Sequence, residues 1–145
     1  MAKIILTRRA KYRKECSDLF VPYYDALCAL LPETWQPCCV QRSFKDQAAA
    51  FKDKKSRARP GQSPHQYGCA ADFFKPSWGN KWADAKSDEW DEFTAACEKI
   101  GLTNLSFERP HCELPILVSW IDVQDVFELK GMDSAMKFIA KNIRR

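Results

Sequence analysis

The amino-acid sequence predicts an α+β domain, a small antiparallel sheet with flanking helices. Three observations predict it. Apolar residues recur at three- and four-residue steps in several stretches, the spacing of amphipathic helices. Short strand-like runs lie unevenly between those stretches, without the regular alternation of a doubly wound fold. The chain has 145 residues, 46% apolar and 29% charged, which suits one domain with one core.

The elements follow in order. Residues 21–31 are expected to be helical. Tyr23, Tyr24, Leu27, Leu30 and Leu31 share a face, Pro22 falls in the first turn, where a missing N–H does no harm, and Pro32 ends the run. Residues 38–42 read as a short strand. Ser43 caps a helix over 44–54 that carries Phe44, Gln47, Ala48 and Phe51. Residues 52–62 are basic and polar, with Pro60-Gly61 near the end, and read as a surface loop. Residues 69–74 fit a strand, and 76–85 a loop containing Trp, Gly and Asn. Ser87, followed by Asp88 and Glu89, starts a helix that runs to Ile100 and stops at Gly101. Residues 103–108 read as a strand, and 111–117 continue the sheet, with Pro110 and Pro115 limiting its pairing. Gly131 separates helices over 119–129 and 132–143. The last has Met132, Met136, Ile139 and Ile143 on one face and Lys141, Arg144 and Arg145 at its end. Trp78, Trp82 and Trp90 are assigned to the core ahead of a groove.

Composition excludes several classes. No apolar stretch approaches the roughly 20 residues that span a bilayer. The apolar segment Ile4–Leu6 is too short for a signal peptide, so synthesis in a cytoplasm without an export signal is expected. Seven cysteines, irregularly spaced and without a Cys-x-x-Cys pair, argue against a disulfide framework and for free thiols used as small apolar residues. The basic stretches 8–14 and 52–59 are read as solvated faces. No nucleic-acid motif accompanies them, so no nucleic-acid partner is expected.

Chemistry concentrates at the two histidines. The first lies in Ser63-Pro64-His65-Gln66-Tyr67-Gly68-Cys69-Ala70-Ala71-Asp72, the second in Glu108-Arg109-Pro110-His111-Cys112-Glu113. Gly68 permits a turn between His65 and Asp72, so both side chains can converge on one ion. Imidazole nitrogen and carboxylate oxygen both suit zinc. If the motifs meet, His111 adds a further ligand. Pro110 stiffens the link to Glu108, which can then face the same cavity as a general base without being a ligand. Glu113 shares a strand face with His111 and is either its partner or solvent-exposed. Strand alternation aims Cys69 and Cys112 away from the site.

The pattern Ser-x-His-x-x-Gly-x-Ala-x-Asp followed by Glu-x-x-His resembles the zinc peptidases of the D-alanyl-D-alanine peptidase group. That group includes wall D,D-carboxypeptidases and dipeptidases and the L-alanyl-D-glutamate endopeptidases of bacteriophages. The likeness spans roughly residues 38 to 114, and Glu108 to Glu113 is similar to the (Asp/Glu)-x-Pro-His-x-(Glu/Gln) form of phage endolysins. The resemblance implies a Hedgehog-like zinc peptidase fold, a zinc cofactor (Zn2+) held by His65, Asp72 and His111, and Glu108 as catalytic base. It implies that Arg42, in an Arg42-Ser43-x-x-x-Gln47 context, stabilises an oxyanion, with Gln47 at the substrate; Ser63 either hydrogen-bonds in the substrate cleft or shapes the loop. Phage members often carry Asp where this chain has the longer Glu108. The expected partner is the stem peptide of bacterial peptidoglycan, cut by a monomeric endolysin after its release from the cytoplasm. A D-Ala-D-Ala carboxypeptidase or dipeptidase shares the same motifs, and a non-catalytic wall-binding module with a structural metal is the reading from another class.

Overall fold

The computed structural model describes residues 2–79, 87–106 and 108–144. The expected loop at 80–85, with Trp82, and the terminal Arg145 lie outside the described residues. Helix α1 (Ala2–Arg13) precedes α2 (Val21–Leu30), strand β1 (Gln36–Cys39) and α3 (Phe44–Lys52). A 3-10 turn (Pro64–Tyr67) leads into β2 (Ala70–Phe74). Then come α4 (Ser87–Ile100), β3 (Thr103–Leu105), β4 (Glu108–Glu113), α5 (Trp120–Lys130) and α6 (Met132–Lys141). The strands form one antiparallel sheet in the order β1-β2-β4-β3. The α+β class with a small antiparallel sheet is therefore the observed architecture.

Helix α1 was not expected. Its residues show no apolar stripe, and polar contacts of its second half join it to α2. The Arg9 guanidinium donates to the carbonyls of Cys28, Pro32 and Trp35 at 2.8–2.9 Å, covering the C-terminal end of α2. Tyr24 Oη returns a bond to the Arg9 carbonyl at 2.7 Å. Arg13 grips Asp25 with two parallel bonds of 2.8 and 2.9 Å, a contact exposed enough to add little stability.

One face of the sheet carries the core. From α4, Trp90, Phe93 and Cys97 turn inward at steps of three and four residues, as the periodicity requires. They meet Phe73, Ala71 and Cys112 of the central strands, with Phe20, Tyr24 and Leu27 beside them. Trp35 stacks on Phe93 at 5.4 Å and packs against Trp78 and Trp90 at 5.5 Å, so Trp78 and Trp90 belong to the core and not to a groove. Gly101, at φ +82°, ends α4.

Three strands differ from expectation by more than one residue at a boundary. β1 covers Gln36–Cys39 rather than 38–42; as an edge strand it accommodates Pro37. The 103–108 strand stops at Leu105, a turn follows, and Glu108 already belongs to β4. β4 ends at Glu113, and beyond it Ile116 pairs only as an isolated bridge with Ile143. On α3, Ala48 and Phe51 are exposed; the helix is held by the buried Gln47 and by Phe44, which stacks on Phe127 at 4.9 Å.

Candidate metal centre

The sheet aligns three residues in a row. Cys39 of β1 pairs with Asp72 of β2, and Asp72 pairs with His111 of β4. Directly opposed residues on neighbouring antiparallel strands point to the same face. His65 approaches this row from the 3-10 turn. Ser63 and Gln66 close a capping box over the turn, with Ser63 Oγ accepting from the His65 N–H at 3.2 Å. Gly68 follows at φ +64°, where a side chain would bring Cβ within 2.8 Å of the Glu15 carbonyl and the Ser17 amide. Glycine is needed there twice over, for its backbone angle and for the close approach of the chain after α1.

The two motifs do meet. Asp72 Oδ1 lies 3.4 Å from His65 Nε2 and 3.2 Å from His111 Nδ1, and the imidazole rings are 5.0 Å apart. Outer partners fix each ring. His65 Nδ1 is 2.6 Å from the Val40 carbonyl, which only accepts, so Nδ1 carries the proton. His111 Nε2 is 2.8 Å from Glu113 Oε1, and Trp120 Nε1 donates to Glu113 Oε2 at 2.6 Å. The carboxylate therefore holds the His111 proton on Nε2. In their neutral forms both imidazoles then aim a lone pair at the Asp72 carboxylate. His65 Nε2 is buried and makes no hydrogen bond.

Lone pairs facing a carboxylate in a buried site need positive charge between them, and protons or a metal cation can supply it. Without a metal, protons do. Burial opposes a charge on both imidazoles, but Asp72 outweighs it, raising His65 to about 10 and, with help from Glu113, His111 to about 9. Burial also works against the Asp72 charge, yet the two imidazoles hold its carboxyl well below the usual range. A divalent cation would replace both protons at once, and the donor set of two imidazole nitrogens and a carboxylate oxygen fits one.

A cleft of about 480 Å³, lined by both histidines, opens onto this centre. Arg42, Ser63, Glu108 and Glu113 line it, as do Trp120 and the basic Lys54, Lys55 and Arg57. Glu108 and His111, three apart, would point to opposite faces of a regular strand. A register shift resolves this: Asn104 pairs with Cys112, but Leu105 pairs with Glu108. The extra residues form a bulge that also admits Pro110 to an inner strand. Asn104 Nδ2 bridges it, donating to the carbonyls of Arg109 and His111 at 2.9 and 2.8 Å.

Arg42 stands 4.0 Å from Asp72 Oδ2, on the side of the carboxylate away from the imidazoles. Its Nη1 donates to Gln47 Oε1 at 2.9 Å. Gln47 itself does not reach the substrate side. It is fully buried, its oxygen also accepts from Gln66, and its nitrogen donates to Ser56 Oγ and the Ala58 carbonyl. It joins Arg42, the His65 turn and the basic loop into one unit. Ser63 is 5% exposed and occupied in the capping box, so it shapes the turn.

Cys69 and Cys112 are buried away from the centre, as alternation requires. The Cys112 thiol donates to the Ala71 carbonyl, and burial pushes the Cys69 thiol up to about 12. Cys39 went unnoticed in the sequence. With His65 and Asp72 it forms a group able to hold a metal ion, one donor atom from each lying within 4.8 Å of the others. Neither the protein-family models nor the curated proteins contain a match to this chain.

Proposed function

We propose that the protein is a zinc-dependent peptidase acting on the stem peptide of bacterial peptidoglycan, of the phage endolysin type, with the L-alanyl-D-glutamate bond as its target. The observation that carries this reading is the convergence of His65 Nε2, Asp72 Oδ1 and His111 Nδ1 on one buried point at the floor of an open cleft. The family resemblance supplies the bond and the wall as the substrate.

A bound zinc ion would acidify water and polarise the scissile carbonyl. The chain's own groups do the rest. Glu108, on the cleft wall, accepts the proton of the attacking water and returns it to the leaving amine. The Arg42 guanidinium, braced by Gln47, offers fixed positive charge to the developing oxyanion. Glu113 and Trp120 keep the His111 proton on Nε2, leaving Nδ1 free to ligate. Lys54, Lys55 and Arg57 form a basic wall suited to the carboxylates of an acidic stem peptide, and the net charge of +4 favours approach to an anionic wall. No helix among the described residues is long and apolar enough to cross a membrane. Release of a monomer from the cytoplasm to the wall is part of this proposal.

A D-Ala-D-Ala carboxypeptidase would use the same centre, with the basic wall binding the terminal carboxylate. A wall-binding module with a structural metal is favoured by one observation, the thiol of Cys39 near the centre, since structural sites carry four protein ligands. Digestion of defined peptidoglycan, read by product masses, separates the three. A cut between the first two stem residues is expected; loss of terminal alanine selects the carboxypeptidase, and no cleavage selects the binder. Glu108→Ala should retain metal and lose about 10²–10⁴-fold in rate. Unchanged turnover would remove Glu108 as the base.

A further inference from the structure

Cys39 is brought to the centre by an irregularity in β1. Gln36 pairs with Phe74 and Pro37 with Phe73, but Asp72 is met by Cys39. One extra residue therefore sits between Pro37 and Cys39, and Cys38 is left out of the register. Such a bulge re-aims the side chains beyond it. The Cys38 thiol contacts the Asp72 backbone carbonyl at 3.5 Å. The Cys39 sulfur instead lies 3.9 Å from His65 Nδ1 and 4.0 Å from Arg42 Nη2, in the group whose donor atoms all fall within 4.8 Å. A separate observation points to a ligand here: His65 Nε2 is buried, 3.4 Å from Asp72 Oδ1, and makes no hydrogen bond.

We infer that Cys39 is a fourth protein ligand of this centre and binds a thiophilic divalent cation as the thiolate, its proton passing to solvent. The inference rests on the metal-centre reading above and extends it. Cys39, His65 and Asp72 form the close group, and His111 joins it through Nδ1, 3.2 Å from the same Asp72 oxygen; two imidazoles, a carboxylate and a thiolate would make the four-ligand complement of a closed site. When the thiol disengages, three protein ligands and an open position remain, which is what hydrolysis requires. Cys39 thus decides whether water has a place in the centre. It also shifts metal preference, because soft sulfur favours zinc, cobalt and cadmium over magnesium, calcium and manganese.

Cobalt(II) loaded into the full-length protein tests this directly, since thiolate ligation adds a near-ultraviolet charge-transfer band. The wild type should bind equimolar cobalt and show the band. Cys38→Ser should keep both, whereas Cys39→Ser should keep the cobalt and lose the band. A wild type that binds cobalt without the band, or a Cys39→Ser variant that retains it, overturns the inference and leaves the three-ligand centre standing. A wild type that binds no cobalt overturns both. The wild-type spectrum decides the matter even if the Cys39→Ser variant does not fold. Failure to cut peptidoglycan would count against the proposed function alone.

Discussion

The floor of the cleft and its wall are built by different means. On the floor, each group is fixed from behind: His65 by the Val40 carbonyl, His111 by Glu113, and Glu113 by Trp120. Asp72 sits in the row across β1, β2 and β4. The wall is exposed. Glu108, Lys54, Lys55 and Arg57 all face solvent, and the basic loop is anchored to the floor through Gln47, which bonds Ser56 and Ala58. The floor is organised to hold a charge in one place, and the wall to meet something that arrives. Changes to the floor should therefore show in metal binding, and changes to the wall in substrate handling.

Among changes that spare the ligands and the base, the largest effect should come from the floor's outer support. Glu113→Gln leaves both histidines in place but weakens the hold on the His111 tautomer, so metal affinity should fall about 10–100-fold. Competition with a chelator measures it. An unchanged affinity would mean that His111 does not depend on Glu113.

The metal-free protein should show a pH signature confined to the floor. His65 and His111 are raised to about 10 and about 9, above the ordinary histidine value. Their contribution to stability is then complete below a pH of about 6.5 and lost as pH rises through about 9 to 10. Asp72 is depressed, so its contribution is present above about pH 4 and is lost in acid. Denaturant midpoints of the metal-free protein should fall above about pH 9. Saturating metal should remove that fall, and its persistence would break the link between the histidines and the metal.

The basic residues of the wall should give the smallest effect. Each exposed lysine contributes at most about 1 kcal/mol to an ionic contact. Paired substitution of Lys54 and Lys55 by alanine should raise KM several-fold, leave kcat near its original value and flatten the salt dependence of kcat/KM. A loss of metal from this variant would erase the distinction between floor and wall.

Legibility in the sequence follows the same division. The His65–Asp72 unit could be read because its determinants are local: a glycine at the turn and a strand after it. His111 and Glu113 could be placed on one face by strand parity. What escaped depends on irregularities or on distant partners. Cys39 reaches the centre through a bulge in β1; Glu108 was expected in the cavity of His111, but the bulge in β4 that lets both line it was not. Neither bulge has a local signature, because each is set by pairing with a distant strand. Helix α1 was invisible because its sequence has no apolar stripe, and the bonds between Arg9 and the α2 region join residues distant in sequence. Gln47 was placed at the substrate by resemblance, yet it is the buried amide that braces Arg42.

The most direct test of the metal centre is the zinc content of the purified protein by native mass spectrometry, with His65→Ala beside it. The wild type should carry one zinc per chain. His65→Ala, shown by circular dichroism to be folded, should carry none. A zinc-free wild type after equilibration with the metal, or a His65→Ala variant that keeps its zinc, would contradict the account.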